Sequence, residues 1–360
     1  MKSTVDESVY NGGGIYNVGE VTLTLAGGTP VDVWYPANGT VGVGSATYDV
    51  RDFLPAAIKQ DLGKQHLYVG TDANRNVLVG APGEVFPVVV LSHGTAGYRD
   101  EATYLTTRLA SWGMIVAVPE DPSRDLAHAL TSGASTLSPS ATQVLATIAL
   151  LQHENASASG PFKARVDLSR IAVMGIDSGV PIARAAALDA RVDAYVAIAP
   201  PASSASSAGS ASSASRMSSA STPNKPSLFV AGTADKVTPG SAATAQYGRA
   251  PAPSYEWLID GAGHNAFTDV CVVAQPAGGL VKVLDSAGSG AMLSNPLVAQ
   301  LTDGCAAPAI APSNAWPLID QVVTGFLKHF IGPDPAPVGV GPSGVRTMGG
   351  VSVTISQKAR

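Results

Sequence analysis

From residue 85 onward the chain alternates short, continuously apolar segments with stretches of helical periodicity, and that rhythm leaves few folds open. VFPVVVLSHG is followed by EATYLTTRLASWG, then MIVAVPE, SATQVLATIALLQHENA, RIAVMG, VPIARAAALDA and VDAYVAIAP. After an interruption the pattern resumes with SLFVAGTAD, a short helix near 240–248, SYEWLIDGAG and the amphipathic WPLIDQVVTGFLKHFIG. Strands that are apolar at every position are buried on both faces, which a parallel sheet covered by helices provides. The first 80 residues differ: VTLTLAG (21–27) and VDVWYP (31–36), separated by GGTP, have the signature of a hairpin. The expected architecture is therefore an α/β fold, with a mostly parallel central sheet, N-terminal antiparallel edge strands and helices on both faces.

We read residues 1–332 as one such domain and residues 333–360, rich in Pro, Gly and Val, as a C-terminal surface tail. Hydrophobic residues make up 45% of the chain, enough for a substantial core, while 38 glycines and 26 prolines point to long irregular connections. The interruption at 201–226, PASSASSAGSASSASRMSSASTPNKP, lacks the apolar residues that offset the entropy of ordering and is expected to be a flexible surface insert. A net charge of −5 with few, scattered basic residues disfavours a nucleic-acid partner. No apolar run approaches the roughly 18 residues that span a bilayer, so no membrane span is expected. Two cysteines, Cys271 and Cys305, fall in the loop-rich C-terminal third, as for one clasp between neighbouring loops, with two unpaired buried thiols as the alternative. The clasp makes an exported protein, secreted or periplasmic and with its signal removed, the expectation.

The residues that carry chemistry follow strands. GIDSG, at 175–179, comes after the apolar IAVM and before an alanine-rich helix, so two glycines flank Asp177 at a strand-to-helix turn. Asp235 lies in VAGTADKVTP and His264 in DGAGHNAF, each after a later strand. All three are expected at the carboxyl edge of one sheet, where open α/β folds place their sites. Upstream, VVVLSHGTAGYRD ends a strand in HG and turns into a loop, so the amides of Thr95 and of Ser178 are candidate oxyanion donors. His93 is expected to brace that loop, and Glu120, Asp121 and Asp125 in PEDPSRDL to be solvated. No HExxH, CxxC, GxGxxG or GxxxxGK[ST] occurs, so no metal, nucleotide or other cofactor is implied.

The run from VDVWYPA through SHGTAG, LASWGMIVAVPEDPSRDL, RIAVMGIDSG, FVAGTADKVTP and GAGHNAF resembles the α/β-hydrolase superfamily over roughly residues 20 to 331. Within it the likeness is to the dienelactone-hydrolase, platelet-activating-factor-acetylhydrolase and polyester-cutinase branch. That resemblance implies a small-molecule organic substrate, an acid at Asp235, a base at His264, oxyanion donors at Thr95 and Ser178, and a cap at the position of the Ser/Ala insert. Composition gives that insert no means of forming a structured cap. The branch's elbow reads GHSxGG, and three positions depart: Ile176 replaces His, Asp177 replaces Ser and Val180 replaces Gly.

A serine at the elbow needs histidine to take its proton, whereas a carboxylate is already ionised at neutral pH. Acylating a carboxylate gives a mixed anhydride that reverts easily. Attack at saturated carbon bearing a halide or a strained epoxide oxygen instead gives an alkyl-enzyme ester, which a His264–Asp235 pair can hydrolyse. Haloalkane dehalogenases and epoxide hydrolases are similar in having a GxDxG elbow. They also differ from this chain: Ser178 stands where dehalogenases have tryptophan, and HGTAG where epoxide hydrolases have HGxP. Taking Ser178 as nucleophile instead puts Ile176 and Val180 at the crowded flanking positions. Three readings stay open: hydrolysis at saturated carbon, hydrolysis of carboxylic esters, and a silent site in which Asp177 merely pairs with His264.

Overall fold

The computed structural model describes residues 8–38, 46–63, 67–132, 140–202 and 222–359. The strands, in chain order, are β1 (Asn17–Thr24), β2 (Pro30–Ala37), β3 (Thr47–Asp49), β4 (Tyr68–Gly70), β5 (Ala73–Arg75), β6 (Phe86–Ser92) and β7 (Ile115–Pro119). They continue with β8 (Val166–Ile176), β9 (Ala194–Ile198), β10 (Ser227–Gly232), β11 (Ser254–Ile259), β12 (Thr347–Met348) and β13 (Val351–Lys358). Eleven of them form one sheet in the order β12-β13-β11-β10-β9-β8-β6-β7-β2-β1-β5. From β7 to β11 every neighbouring pair is parallel, and β2 joins β7, as β1 joins β2, antiparallel. The hairpin thus stands where its sequence placed it, with short β5 added outside β1.

The central strands explain their own composition. Successive side chains point to opposite faces, so Val88 and Val90 of β6 enter one core while Val89 and Leu91 enter the other. One face is covered by α2 (Thr103–Ser111), through Leu105 and Leu109, and by the long helix Pro312–Phe330, through Leu318, Val322 and Phe326. The other is covered by the helix Thr142–Ala156, through Val144, Ile148 and Leu151, by the helix Gly179–Ala186 that follows β8, through Val180 and Ala183, and by the helix Gly240–Arg249. Each such fully buried Val or Leu contributes about 1.5–3 kcal/mol of transfer free energy. A β-strand flanked by helices on both sides is what continuous apolar runs require, and the expected α/β-hydrolase fold is the one observed.

One expectation is corrected. Residues 333–360 were expected to lie on the surface as a tail, but β13 pairs antiparallel with β11 and extends the sheet at its C-terminal edge. Its sequence, VSVTISQK, starts with the strict alternation of a half-buried strand: Val351 and Val353 are buried while Ser352 and Thr354 are exposed. Residues 203–221 of the Ser/Ala insert lie outside the described residues. A third apolar cluster, however, gathers Tyr48, Val50, Phe53 and Ile58 from the segment after β2 with Tyr98, Leu126, Val270, Val283, Leu284, Leu297 and Leu301. The last five come from the stretch between His264 and the final helix, which holds α7 (Leu280–Leu284) and α8 (Asn295–Thr302). In the sequence this stretch breaks into short apolar runs split by Gly and Ser, which is why no helical period announced it. Cys271 and Cys305 close it into a loop with a disulfide.

Candidate active site

Asp177 occupies the apex of the turn between β8 and the helix Gly179–Ala186, with φ of 48°, in the left-handed region. Such a backbone is held only where surroundings impose it. Here a Cβ on Gly179 would collide with the Ser92 carbonyl at the end of β6, so this position has no room for a side chain. An added Cβ on Gly94 would stand 3.2 Å from Cβ of Asp177, so the loop after β6 also crowds the turn. The turn therefore takes Asp177 as its apex, and Ser178 follows it with helical φ/ψ. Ile176 and Val180, which depart from the related elbow sequence, are buried in the two cores.

The loop after β6 runs against this apex. The Thr95 amide donates to Asp177 Oδ2 at 2.9 Å, and Thr95 Oγ1 donates to Ser178 Oγ at 2.8 Å. His93 braces the loop as its position suggested: it is fully buried, its Nδ1 is 3.0 Å from Gly94 O, and its Nε2 accepts from the Asp121 amide at 2.9 Å. Of the acidic residues after β7, Glu120 is buried and Asp121 is paired, contrary to expectation, while Asp125 is half-buried. Asp121 accepts from Arg124 Nε at 2.9 Å, and Arg124 reaches back to Ser92 Oγ and to the His93 and Gly94 carbonyls. Glu120 is buried beside Arg99, which also pairs with Asp32. A guanidinium with several carbonyl and carboxylate acceptors fixes a loop in a way that composition alone does not reveal.

Asp235 follows β10 and is bound from several sides. Its Oδ1 accepts the amides of Val237 at 2.9 Å and Thr238 at 2.7 Å, and its Oδ2 accepts Thr238 Oγ1 at 2.8 Å. The same Oδ2 lies 3.0 Å from Nδ1 of His264, which opens the 3-10 turn His264–Phe267 after β11. His264 is 2% exposed, and burial alone lowers its pKa. The hydrogen bond to Asp235 and the charges of Asp177, Asp235 and Asp303 outweigh burial, so its pKa lies above the ordinary imidazole value. Asp177, Thr95, Ser178 and the His264–Asp235 pair thus gather at one end of the parallel strands.

One participant gave no sequence signal. Gln300, on α8, places Nε2 2.8 Å from His264 Nε2 and 3.4 Å from Asp177 Oδ2. Its neighbourhood is tied to the histidine loop: Asp303 Oδ2 accepts the His264 amide at 2.9 Å and the Lys236 amide at 3.1 Å, and Asn265 Nδ2 donates to Gln300 O at 2.8 Å. Among the described residues no group of three or more His, Cys, Asp or Glu is arranged to hold a metal ion, and no helix is long and apolar enough to cross a membrane.

Residues 28–139 match the family model for platelet-activating factor acetylhydrolase, isoform II. The chain is an α/β-hydrolase. Comparison with curated proteins gives no match. The matched stretch runs from β2 through the Thr95 loop and ends before the elbow, so it contains Thr95 but not Asp177, Asp235 or His264. The likeness to that family therefore reaches the loop that carries Thr95 and stops before the turn at Asp177.

Proposed function

We propose that this α/β-hydrolase cleaves a bond at saturated carbon, in a haloalkane-type or epoxide-type substrate, through a covalent ester on Asp177. The hydrogen bond from Thr95 N to Asp177 Oδ2 carries this reading. In an ester hydrolase that amide must be open to the oxygen of the substrate's carbonyl. Here one oxygen of the attacking group already occupies it. An alkyl-enzyme ester makes use of this arrangement, because its own carbonyl oxygen, Oδ2, is then the one that becomes an oxyanion.

The steps follow. Oδ1 attacks the carbon, the C–O bond forms, and the leaving group departs with the bonding electrons as halide or as the opened alkoxide. Water then adds to Cγ of Asp177 while His264 Nε2 takes its proton and Asp235 stabilises the imidazolium. Thr95 N and Ser178 N hold the negative oxygen. Collapse releases the alcohol and regenerates the carboxylate, and the proton on His264 passes to the alkoxide or to solvent. Overall one water is consumed and no cofactor takes part.

A second reading, carboxylic-ester hydrolysis, is favoured by the likeness of residues 28–139 to an acetylhydrolase family. In it Asp177 forms a mixed anhydride that His264 and water resolve. A panel of nitrophenyl esters, styrene oxide and haloalkanes separates the two. Turnover of epoxide or halide with little ester hydrolysis supports the first; ester turnover alone supports the second; no turnover on any leaves a silent site. The disulfide Cys271–Cys305 supports an oxidising compartment, secreted or periplasmic, and one domain with an added C-terminal strand accords with the common sheet.

A further inference from the structure

The carboxamide of Gln300 stands between two groups that otherwise attract one another. A carboxylate only accepts hydrogen bonds, so the Gln300 atom facing Asp177 Oδ2 at 3.4 Å is the NH2 group rather than the carbonyl oxygen. That same nitrogen is 2.8 Å from His264 Nε2. With one hydrogen directed to Oδ2, the other points at Nε2, which must then offer a lone pair. In this arrangement His264 carries its proton on Nδ1, facing Asp235 at 3.0 Å, so the Gln300 contact selects the neutral ring against the pull of the surrounding carboxylates.

We infer that Gln300 is a positioning residue that keeps His264 a neutral base by separating it from Asp177. The inference deepens the proposed chemistry and rests on it for its catalytic meaning. Three carboxylates act on this imidazole: Asp235 from the loop after β10, Asp177 from the elbow and Asp303 from the end of α8. Such surroundings favour imidazolium, and an imidazolium paired with Asp177 is the silent site: the base is spent and the nucleophile is neutralised. The amide nitrogen opposes this because a protonated Nε2 has no lone pair to offer it.

The position is built, not incidental. Asn265 Nδ2 holds the carbonyls of Gln300 and Asp303, Asp303 Oδ2 holds the His264 amide, and the disulfide joins Cys305 to Cys271 beyond them. The arrangement also responds to the reaction. Alkylating Asp177 removes the charge that retains the second N–H, which frees the amide to move aside and lets the hydrolytic water take its place against Nε2.

The test is an NMR titration of the His264 ring in the wild-type protein and in Gln300→Leu, which keeps bulk and removes the donor. Gln300 is half-buried on its helix, and Gln300→Met, unbranched and equally without a donor, serves as the second variant should leucine perturb folding. The expected result in both is a rise of the His264 pKa by about one unit or more, roughly tenfold in proton affinity. On a substrate that is turned over, the same variants alkylate Asp177 more slowly at neutral pH, because imidazolium pairs with its carboxylate, and recover at higher pH. An unchanged or lowered His264 pKa overturns the inference. The titration needs no turnover. A raised pKa in a chain inert towards every substrate would leave the role of Gln300 standing and remove the proposed chemistry, and covalent turnover with an unchanged titration would do the reverse.

Discussion

The Thr95 amide donates to Oδ2 of Asp177 at 2.9 Å, and the hydrogen bond from Gln300 falls on that same oxygen. The two oxygens of one carboxylate are therefore unequal: Oδ2 is held, and Oδ1 receives neither donor. Replacing Asp177 by Asn keeps the shape and removes the attacking charge. Turnover of an epoxide or halide should fall by about 10⁴-fold or more, as for removal of a nucleophile elsewhere. Steady-state rates of the folded variant check this, and residual activity within tenfold of wild type would locate the nucleophile elsewhere.

Asp177→Ser asks the converse. A hydroxyl at the apex leaves the Thr95 amide open and gives His264 a proton to take. The variant should lose hydrolysis at saturated carbon. Strong ester hydrolysis arising from none would identify the natural chain as an esterase disabled at one position.

His264→Gln separates the two halves of the reaction. Alkylation does not need the imidazole but water activation does, so the variant should give one burst of leaving group and then stop. Intact-mass analysis should show the substrate's alkyl group on the peptide that contains Asp177. A variant that neither bursts nor gains mass would remove the two-step scheme.

Asp269 offers a test of stability rather than activity. It is buried next to Thr103, whose amide donates to its Oδ2 at 2.8 Å, and burial pushes its pKa up to about 7. An acid whose folded pKa lies above its unfolded value holds a proton in the folded state across that interval, between about 4 and 7, while the unfolded chain has released it. Stability must fall as pH rises through this window. Asp269→Asn removes the effect, so denaturant unfolding should find the variant more stable than wild type near pH 8 and little changed near pH 4.5. Equal stability differences at both pH values would contradict the buried ionisation.

The clasp is checked by replacing Cys271 and Cys305 together with Ser. The closed segment has 33 intervening residues, and losing it should destabilise the fold by roughly 3–4 kcal/mol in the chain-entropy account. Intact mass before and after reduction must differ by two hydrogens, and no difference would mean the thiols are free in the protein as isolated.

The alternation of apolar strands and helices made the sheet legible, because residues such as Val88 to Leu91 must be buried on both faces to exist at all. The order of Asp177, Asp235 and His264 after successive strands made the site legible, since strand ends in a parallel sheet share one edge. Gln300 was not legible. Its role comes from a segment whose helices are short, and whose placement depends on Asn265, Asp303 and a disulfide rather than on any local period. The Asp121–Arg124 brace was hidden for a related reason: a buried ion pair and a solvated one have the same composition. By contrast, Val351 and Val353 carried a strand signal that the surrounding Pro and Gly obscured.

The proposed chemistry turns on a covalent ester on Asp177, hydrolysed at its own carbonyl. One turnover in ¹⁸O-labelled water, followed by mass analysis of the peptide containing Asp177, measures this directly. The covalent route puts label in the Asp177 carboxylate and leaves unlabelled oxygen in the first molecule of alcohol released. Turnover with an unlabelled Asp177 and label in the product would contradict it.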